Sequence, residues 1–316
     1  MSQRFKKSIF GLGLLFLIFG LFILILSFWL QPKDGRTNFL ILGIAGENQV
    51  GNDLTDSLIF VSTENQTGKT LMISLPRDIW ITPLRAKLNT VYHYQGLPET
   101  KKTVEEILGQ EVDYGLVIDF SLFTQAVDFL GGVEVEVERS FDDFKYPIAG
   151  RENDLCDNDK EFKCRYETLH FEAGKQFMDG VTALKYVRSR NAEGEEGTDF
   201  ARSQRQQRLL VAIQKKIFTP RIIFNPQKTI GLAKLVLGNI KTDITYNDYA
   251  ELFKIALKWR GHNLKMLVLN DGYLINPPTS EQKYDNQWVL VPKTGDWQEI
   301  HLYIEDLIKD RLVEKF

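Results

Sequence analysis

Residues Ile9 to Leu30 form an uncharged apolar run that continues into Gln31-Pro32. A run of that length is what an α-helix needs to cross the hydrocarbon core of a bilayer. Arg4, Lys6 and Lys7 precede it, and the positive flank of a span stays on the cytoplasmic side. The expected topology is a single-pass type II protein of the cell membrane, with residues 1–8 in the cytoplasm, a transmembrane helix at 9–30 and the rest of the chain outside. A cleavable signal peptide has a shorter apolar core ending in a small-x-small site, whereas this run ends in Ser27-Phe-Trp-Leu30.

About 280 residues remain, enough for one large domain or two small ones, and no clear linker divides them. The formal charge is −3, and setting aside Arg4, Lys6 and Lys7 leaves −6, which argues against a nucleic-acid partner. Two strongly polar stretches, Asp142 to Arg165 and Asn191 to Thr198, are expected to be exposed insertions. Cys156 and Cys164 are the only cysteines. They lie in the first insertion and face an oxidising exterior, so a loop-stapling disulfide is expected. The acidic residues around them match no EF-hand spacing. His93, His170, His262 and His301 form no zinc pattern. No nucleophile elbow, P-loop or CxxC is present.

Short runs rich in Ile, Leu and Val at Asn38 to Ile44, Leu58 to Thr63 and Thr70 to Leu75 predict buried strands, the last two joined as a hairpin. Helical periodicity follows at Thr103 to Leu108 and Ser121 to Leu130, then an alternating strand at Val133 to Val137. Longer helices are predicted at Asp179 to Val187, Asp199 to Phe218, Pro226 to Leu237 and Asn247 to Arg260. Strands at Lys265 to Leu269 and Trp288 to Val291 and a helix from Trp297 complete the pattern. It predicts an α/β fold with a mixed central β-sheet flanked by helices on both faces.

Cations and amides cluster in Tyr186-Val-Arg-Ser-Arg190 and in Asp199-Phe-Ala-Arg-Ser-Gln-Arg-Gln-Gln207. Arg202, Arg205 and Gln206, at i, i+3 and i+4, are expected to share a helix face that continues into Leu209, Leu210 and Ile213. Guanidinium forks match phosphate oxygens in a bidentate way that an ammonium cannot, so the cluster points to a multiply charged anion. The bland counterpart is a solvated basic helix start. Asp56, at the start of the second strand, and Arg77, just past the end of the third, come side by side in the hairpin. They are either an ion pair that pins the hairpin or part of a site. Lys87 and Asn89 either reach the same mouth or decorate it.

The series Asn38-Phe-Leu-Ile-Leu-Gly43, Leu54-Thr-Asp-Ser57, Ser74-Leu-Pro-Arg-Asp78, Lys87-Leu-Asn89, Val117-Ile-Asp-Phe120, Gly131-Gly-Val133, Tyr186-Val-Arg-Ser-Arg190 and Asp199 to Gln207 resembles the ordered motifs of the LytR-CpsA-Psr family. The resemblance covers about Asn38 to Phe218. It implies a short linker at 31–37, an extracytoplasmic catalytic domain at 38–220, and a C-terminal α/β extension at 221–316 that packs on or continues it. Family members move glycopolymers such as teichoic acid or capsule from a polyprenyl-pyrophosphate carrier onto peptidoglycan. By resemblance, Asp56 and Arg77 are catalytic, with Asp56 serving the metal. Arg77, Arg188, Arg190, Arg202, Gln206 and Lys87 hold the pyrophosphate. The implied cofactor is magnesium (or manganese), and the implied partners are the lipid-linked glycan, the peptidoglycan acceptor and the lipid bilayer.

One departure matters. The family carries an aspartate shortly after the glycine that closes the first strand, and this chain reads Gly43-Ile-Ala-Gly46. Ala45 has no ligand atom, so Glu47 or Asp53 is the expected substitute, or else the phosphates themselves hold the ion. Glu193, Glu195 and Glu196 add negative potential beside the arginines unless they point to solvent. Phe120, Phe123, Phe129 and Leu130 are candidates for a groove that takes the isoprenoid chain. The alternative to an enzyme is a non-enzymic polyprenyl-phosphate-binding protein or cell-wall assembly scaffold. A transcriptional regulator does not fit an acidic, outward-facing domain in which no helix-turn-helix is evident.

Overall fold

The computed structural model describes residues 31–46, 51–151, 153–259, 264–270 and 272–309. The expected transmembrane helix at 9–30 and the candidate ligand Glu47 lie outside the described residues. In chain order the strands are β1 (Arg36–Ile44), β2 (Thr55–Glu64), β3 (Thr70–Leu75), β4 (Trp80–Ile81), β5 (Ala86–Lys87), β6 (Tyr114–Asp119), β7 (Val133–Val137), β8 (Phe141–Pro147), β9 (Tyr166–Phe171), β10 (Gly174–Met178), β11 (Lys241–Thr242), β12 (Leu264–Val268), β13 (Leu274–Ile275) and β14 (Val291–Pro292). The helices are α1 (Val91–Leu108), α2 (Phe120–Phe129), α3 (Gly180–Arg188), α4 (Asp199–Ile217), α5 (Pro220–Ile223), α6 (Pro226–Asn239), α7 (Tyr249–Lys258) and α8 (Gln298–Ile308).

Six strands form the central sheet in the order β11-β6-β1-β2-β3-β12. It is mixed: β1 runs parallel to β6 and β3 parallel to β12, while β1 with β2, β2 with β3 and β6 with β11 are antiparallel. The central strands are apolar on both faces because both are covered. Leu40, Leu42, Leu58, Phe60 and Ile73 pack under Val104 and Ile107 of α1 and Ile300 and Ile304 of α8. Ile59, Val61 and Met72, on the other face, meet Leu210 of α4. A second core joins α2, α3 and α4 to β7–β10 through Val127, Val135, Phe171, Tyr186 and Leu209. Residues beyond 221 supply both edge strands of the sheet and α8 on its first face.

Several elements depart from expectation. The helix expected from Thr103 begins at Val91 and kinks at Gly96, whose φ of 75° only glycine adopts freely. The strand expected at Trp288 to Val291 is confined to Val291–Pro292. The stretch Asp142 to Arg165 is not simply an exposed insertion, because β8 and β9 pair across it and bury Asp143 and Tyr146. Between these strands Cys156 and Cys164 are joined as a disulfide. Closing so short a loop contributes ~2 to 3 kcal/mol in the loop-entropy account. Cys156→Ser/Cys164→Ser is expected to raise amide exchange between residues 150 and 165 and leave the sheet unchanged. Equal loss of protection in β1–β3 would show that the staple holds more than its own loop.

Candidate active site

Four chain segments converge where β1, β3 and β6 end and β2 begins. A cavity of about 310 Å³ there is lined by Asp56, Ser57, Arg77, Asp119, Arg188, Arg190, Arg202 and Gln206. The rest of its lining is largely apolar: Ile41 and Ile59 of the sheet, Phe120 and Phe123 of α2, Leu184 and Val187 of α3, and Leu209 and Leu210 of α4. Phe129 and Leu130 are not part of it: Phe129 packs against Gly231 of α6, and Leu130 is buried elsewhere. An adjoining groove of about 920 Å³ shares Asp56, Ser57, Arg77, Arg202 and Gln206 with the cavity. It runs on past Asp199, Phe200, Asn270, Asn276 and Trp288. The charged groups therefore stand where the cavity and the groove meet.

Arg77 leaves the end of β3 and donates to Asp56 Oδ1 at 2.7 Å. Asp78 Oδ2 lies 3.5 Å from its Nε. Burial works against the charge of Arg77, but Asp56 and Asp78 outweigh it and raise the pKa. Lys87 donates to Asp78 Oδ1 at 2.7 Å. It does not line the cavity; it braces the carboxylate beside Arg77. Asn89 is likewise absent from the lining, and its carbonyl accepts from Thr55. Asp53 faces His93 at 3.6 Å and does not reach the cavity either.

α4 is laid across the sheet by Gln207, which donates to Ser74 Oγ at 2.9 Å and to the Leu267 carbonyl at 2.7 Å. That orientation turns Arg202 and Gln206 inward, where Ser57 donates to Gln206 Oε1. Arg202 is buried, paired with Asp199 at 3.0 Å, and its Nε has no hydrogen-bond partner. Burial lowers its pKa, with Arg77 and Arg190 adding repulsion and Asp199 opposing. A buried guanidinium with an orphaned donor and cationic neighbours is short of an anion.

Arg205 does not share that face. With about 100° per residue, Arg205 sits about 60° to one side of Arg202 and Gln206 about 40° to the other. It is fully buried and binds the carbonyls of Tyr186, Ser189 and Glu196 and the Glu196 carboxylate. The loop Asn191 to Thr198 is thus not wholly exposed: Glu196 is turned inward onto Arg205, and Glu195 pairs with Arg139. The negative potential expected from this acidic spacer is taken up there.

Asp143, in β8, completes the scaffold. It accepts from Ser189 Oγ at 2.7 Å and from the backbone N–H groups of Arg190 and Asn191 at 3.1 and 3.2 Å. Pinning Ser189 inward leaves its two neighbours facing the cavity, and the Arg188 guanidinium lies over the Phe120 ring at 4.3 Å. No sequence signal marked Asp143, since it lies at the start of a stretch that reads as solvated. Asp119 was also passed over. It caps α2 by accepting from the Leu122 N–H at 2.7 Å, and it lines the cavity. Its register partner on β1 is Ile44, next to Ala45. Gly46, at φ +87°, passes so close that a Cβ there would lie 2.9 Å from the Asp119 Cβ.

These residues can surround a diphosphate with four guanidiniums, with Phe120, Phe123, Leu209 and Leu210 beside it for an apolar chain and the adjoining groove open to the rest of the donor. For a divalent cation, the described residues of the cavity offer the second oxygen of Asp56 and the Asp119 carboxylate. That is a partial set of the kind magnesium takes when substrate phosphates supply the rest.

A profile described as the LytR_cpsA_psr family matches residues 26–301. The polyisoprenyl-teichoic acid–peptidoglycan teichoic acid transferase TagV of Bacillus subtilis (strain 168) is 25% identical over 279 residues, covering 85% of this chain and 66% of TagV. The transferase of the same description called TagU, from Bacillus licheniformis, is 27% identical over 248 residues, 77% of this chain and 72% of TagU. The crystal structure of B. subtilis TagV shares the fold, with a TM-score of 0.62 at 22% identity over 88% of this chain and 98% of that one.

Proposed function

This chain belongs to the LytR-CpsA-Psr family, and from that premise we propose that it is a phosphotransferase of the cell membrane that moves a glycopolymer from a polyprenyl-pyrophosphate carrier onto a peptidoglycan-type acceptor. The observation that carries this reading is the placement of Arg77, Arg188, Arg190 and Arg202 around one cavity whose other lining is largely apolar. In it the isoprenoid chain enters between the sheet and α2–α4, the pyrophosphate rests on the arginines, and the glycan lies in the outer groove. The domain is held outside the cell by the amino-terminal span.

An acceptor hydroxyl attacks the glycan-bearing phosphorus, the phosphoanhydride bond to the bridging oxygen breaks, and polyprenyl phosphate departs with the electron pair. Charge builds on the leaving phosphate, and fixed guanidiniums stabilise it without reorganising. The hydroxyl proton leaves to a carboxylate facing the groove, where Asp56 and Asp199 stand. Asp56, with Asp119 and the phosphates, would hold a magnesium or manganese ion. When bound, such an ion neutralises phosphate oxygens.

The test is release of polyprenyl phosphate from a labelled polyprenyl-pyrophosphate glycan by the purified chain in the presence of peptidoglycan. Losing a charged hydrogen bond in a partly buried site costs on the order of 1.5 to 3 kcal/mol, so Arg188→Ala and Arg190→Ala should each weaken donor binding at least tenfold. Arg208, which pairs with Glu138 away from the cavity, is the control. Donor binding without any release would leave a binding role in place of the enzyme.

A further inference from the structure

We propose that the surface formed by α5, α6 and α7 is a membrane-seating face, held against the outer side of the lipid bilayer. This rests on the anchored topology. Phe224 is 83% exposed, Tyr246 86% and Phe253 60%; a single exposed ring needs no explanation, but several on neighbouring elements do. They are not scattered. Tyr249, Phe253 and Leu257, at i, i+4 and i+8, make one exposed stripe along α7, and Ile230 and Leu237 make another on α6.

The occupant follows from where the chain enters the fold. The Lys33 backbone N–H donates to Glu251 of α7, and the apolar run of the sequence ends at Leu30. Three residues reach no more than about 10 Å, so an anchor ending at Leu30 puts the bilayer beside α7. The same end of the sheet carries the other contacts of this helix: Tyr114 at the start of β6 binds Asp248, and Gly68 in the β2–β3 turn lies against the Lys258 carbonyl. α4 also ends there, with Phe218 edge-on to Trp259. Charge agrees. Residues 221–258 hold six cations (Arg221, Lys228, Lys234, Lys241, Lys254, Lys258) and three carboxylates (Asp243, Asp248, Glu251), in a chain whose net charge is −3. An apolar stripe flanked by lysines binds at the interface of a bilayer containing anionic lipid. α6 packs on α2, the helix that brings Phe120 and Phe123 to the apolar pocket, so a lipid substrate would meet this surface on its way in.

The full chain, reconstituted in phosphatidylcholine–phosphatidylglycerol vesicles, tests the proposal. Because Cys156 and Cys164 are joined, a single introduced thiol takes a fluorophore selectively. A probe on Phe253→Cys should be quenched by nitroxide-bearing lipids. A probe on Tyr94→Cys, 72% exposed and near Asp53 at the other end of the sheet, should not. Equal quenching at both positions, or none at Phe253, overturns the proposal. Phe253→Asp/Leu257→Asp, both exposed positions, should cut transfer from a vesicle-borne donor about tenfold, since two apolar side chains leave the interface. Transfer from a short-chain donor in detergent should be unchanged. An equal effect on both donors, or on neither, also overturns it. If the unmodified chain turns over neither donor, the phosphotransferase reading fails, while the quenching result still decides the face.

Discussion

Asp56→Asn is expected to lower transfer by about 10²-fold or more, the scale of losing a group that acts on charge in the transition state, while the fold survives. Asp56 is part-exposed, with 42% of its side chain accessible, and Arg77 keeps Asp78 at 3.5 Å. The amide preserves shape and removes a negative charge from an anion site, so donor binding in the presence of a chelator should be unchanged or tighter. That split between binding and turnover separates loss of a metal or proton role from loss of the pocket. Turnover would be followed against magnesium concentration, with Asp119→Asn in parallel. Because Ala45 supplies no ligand, half-saturation by magnesium should depend on the donor being bound. Full activity of Asp56→Asn, or wild-type turnover indifferent to a chelator, removes the metal-assisted mechanism.

Arg205→Met should destabilise the chain by about 3 kcal/mol, the low end for breaking a buried ion pair, because the buried Glu196 carboxylate keeps only Arg139, at 3.6 Å, as a cationic neighbour. The Tyr186 and Ser189 carbonyls lose their Arg205 donors as well. The pair Arg205→Met/Glu196→Leu removes the stranded charge but not the deprived carbonyls, so it should recover only part of the loss. Ser189 stands between Arg188 and Arg190, so donor affinity should fall in the single variant even where it remains folded. Urea unfolding at constant m-value measures the first effect, and binding by the folded fraction the second. A change below about 1 kcal/mol would place Arg205 among ordinary surface-like substitutions and contradict the network.

Much of the sheet was legible because its strands obey simple rules. Thr70–Leu75 carries Leu, Met and Ile in an unbroken run and is buried on both faces, and Val133–Val137 alternates without interruption. β8 escaped notice because Asp143, an inward position, carries a carboxylate, and the register shifts between Asp143 and Tyr146. That combination erases the period-two signal. The first turns of α1 were hidden by Gly96 and Pro98, residues that read as a stop. The site's arginines could be found because they flank element ends, and the four that line the cavity are those the family resemblance implied, whereas helical spacing alone put Arg205 on the same face. Arg205 differs from Arg202 by only about 60° of helix rotation, and the buried partner that claims it, Glu196, reads as one more solvated acid. Asp119 was concealed differently: its role as a helix cap accounts for an aspartate there, and only the sheet register brings it to the cavity.

β1 begins at Arg36, three residues from the Lys33 contact with α7, and ends at Ile44, beside the cavity. Nine residues at about 3.3 Å each make a rigid mast of about 30 Å. On the proposed reading of a phosphotransferase tethered at its amino terminus, this would set the height above the bilayer at which the phosphates are handled. The carrier would then have to be drawn upward by that height, and only wall strands lying at that level would receive what it brings.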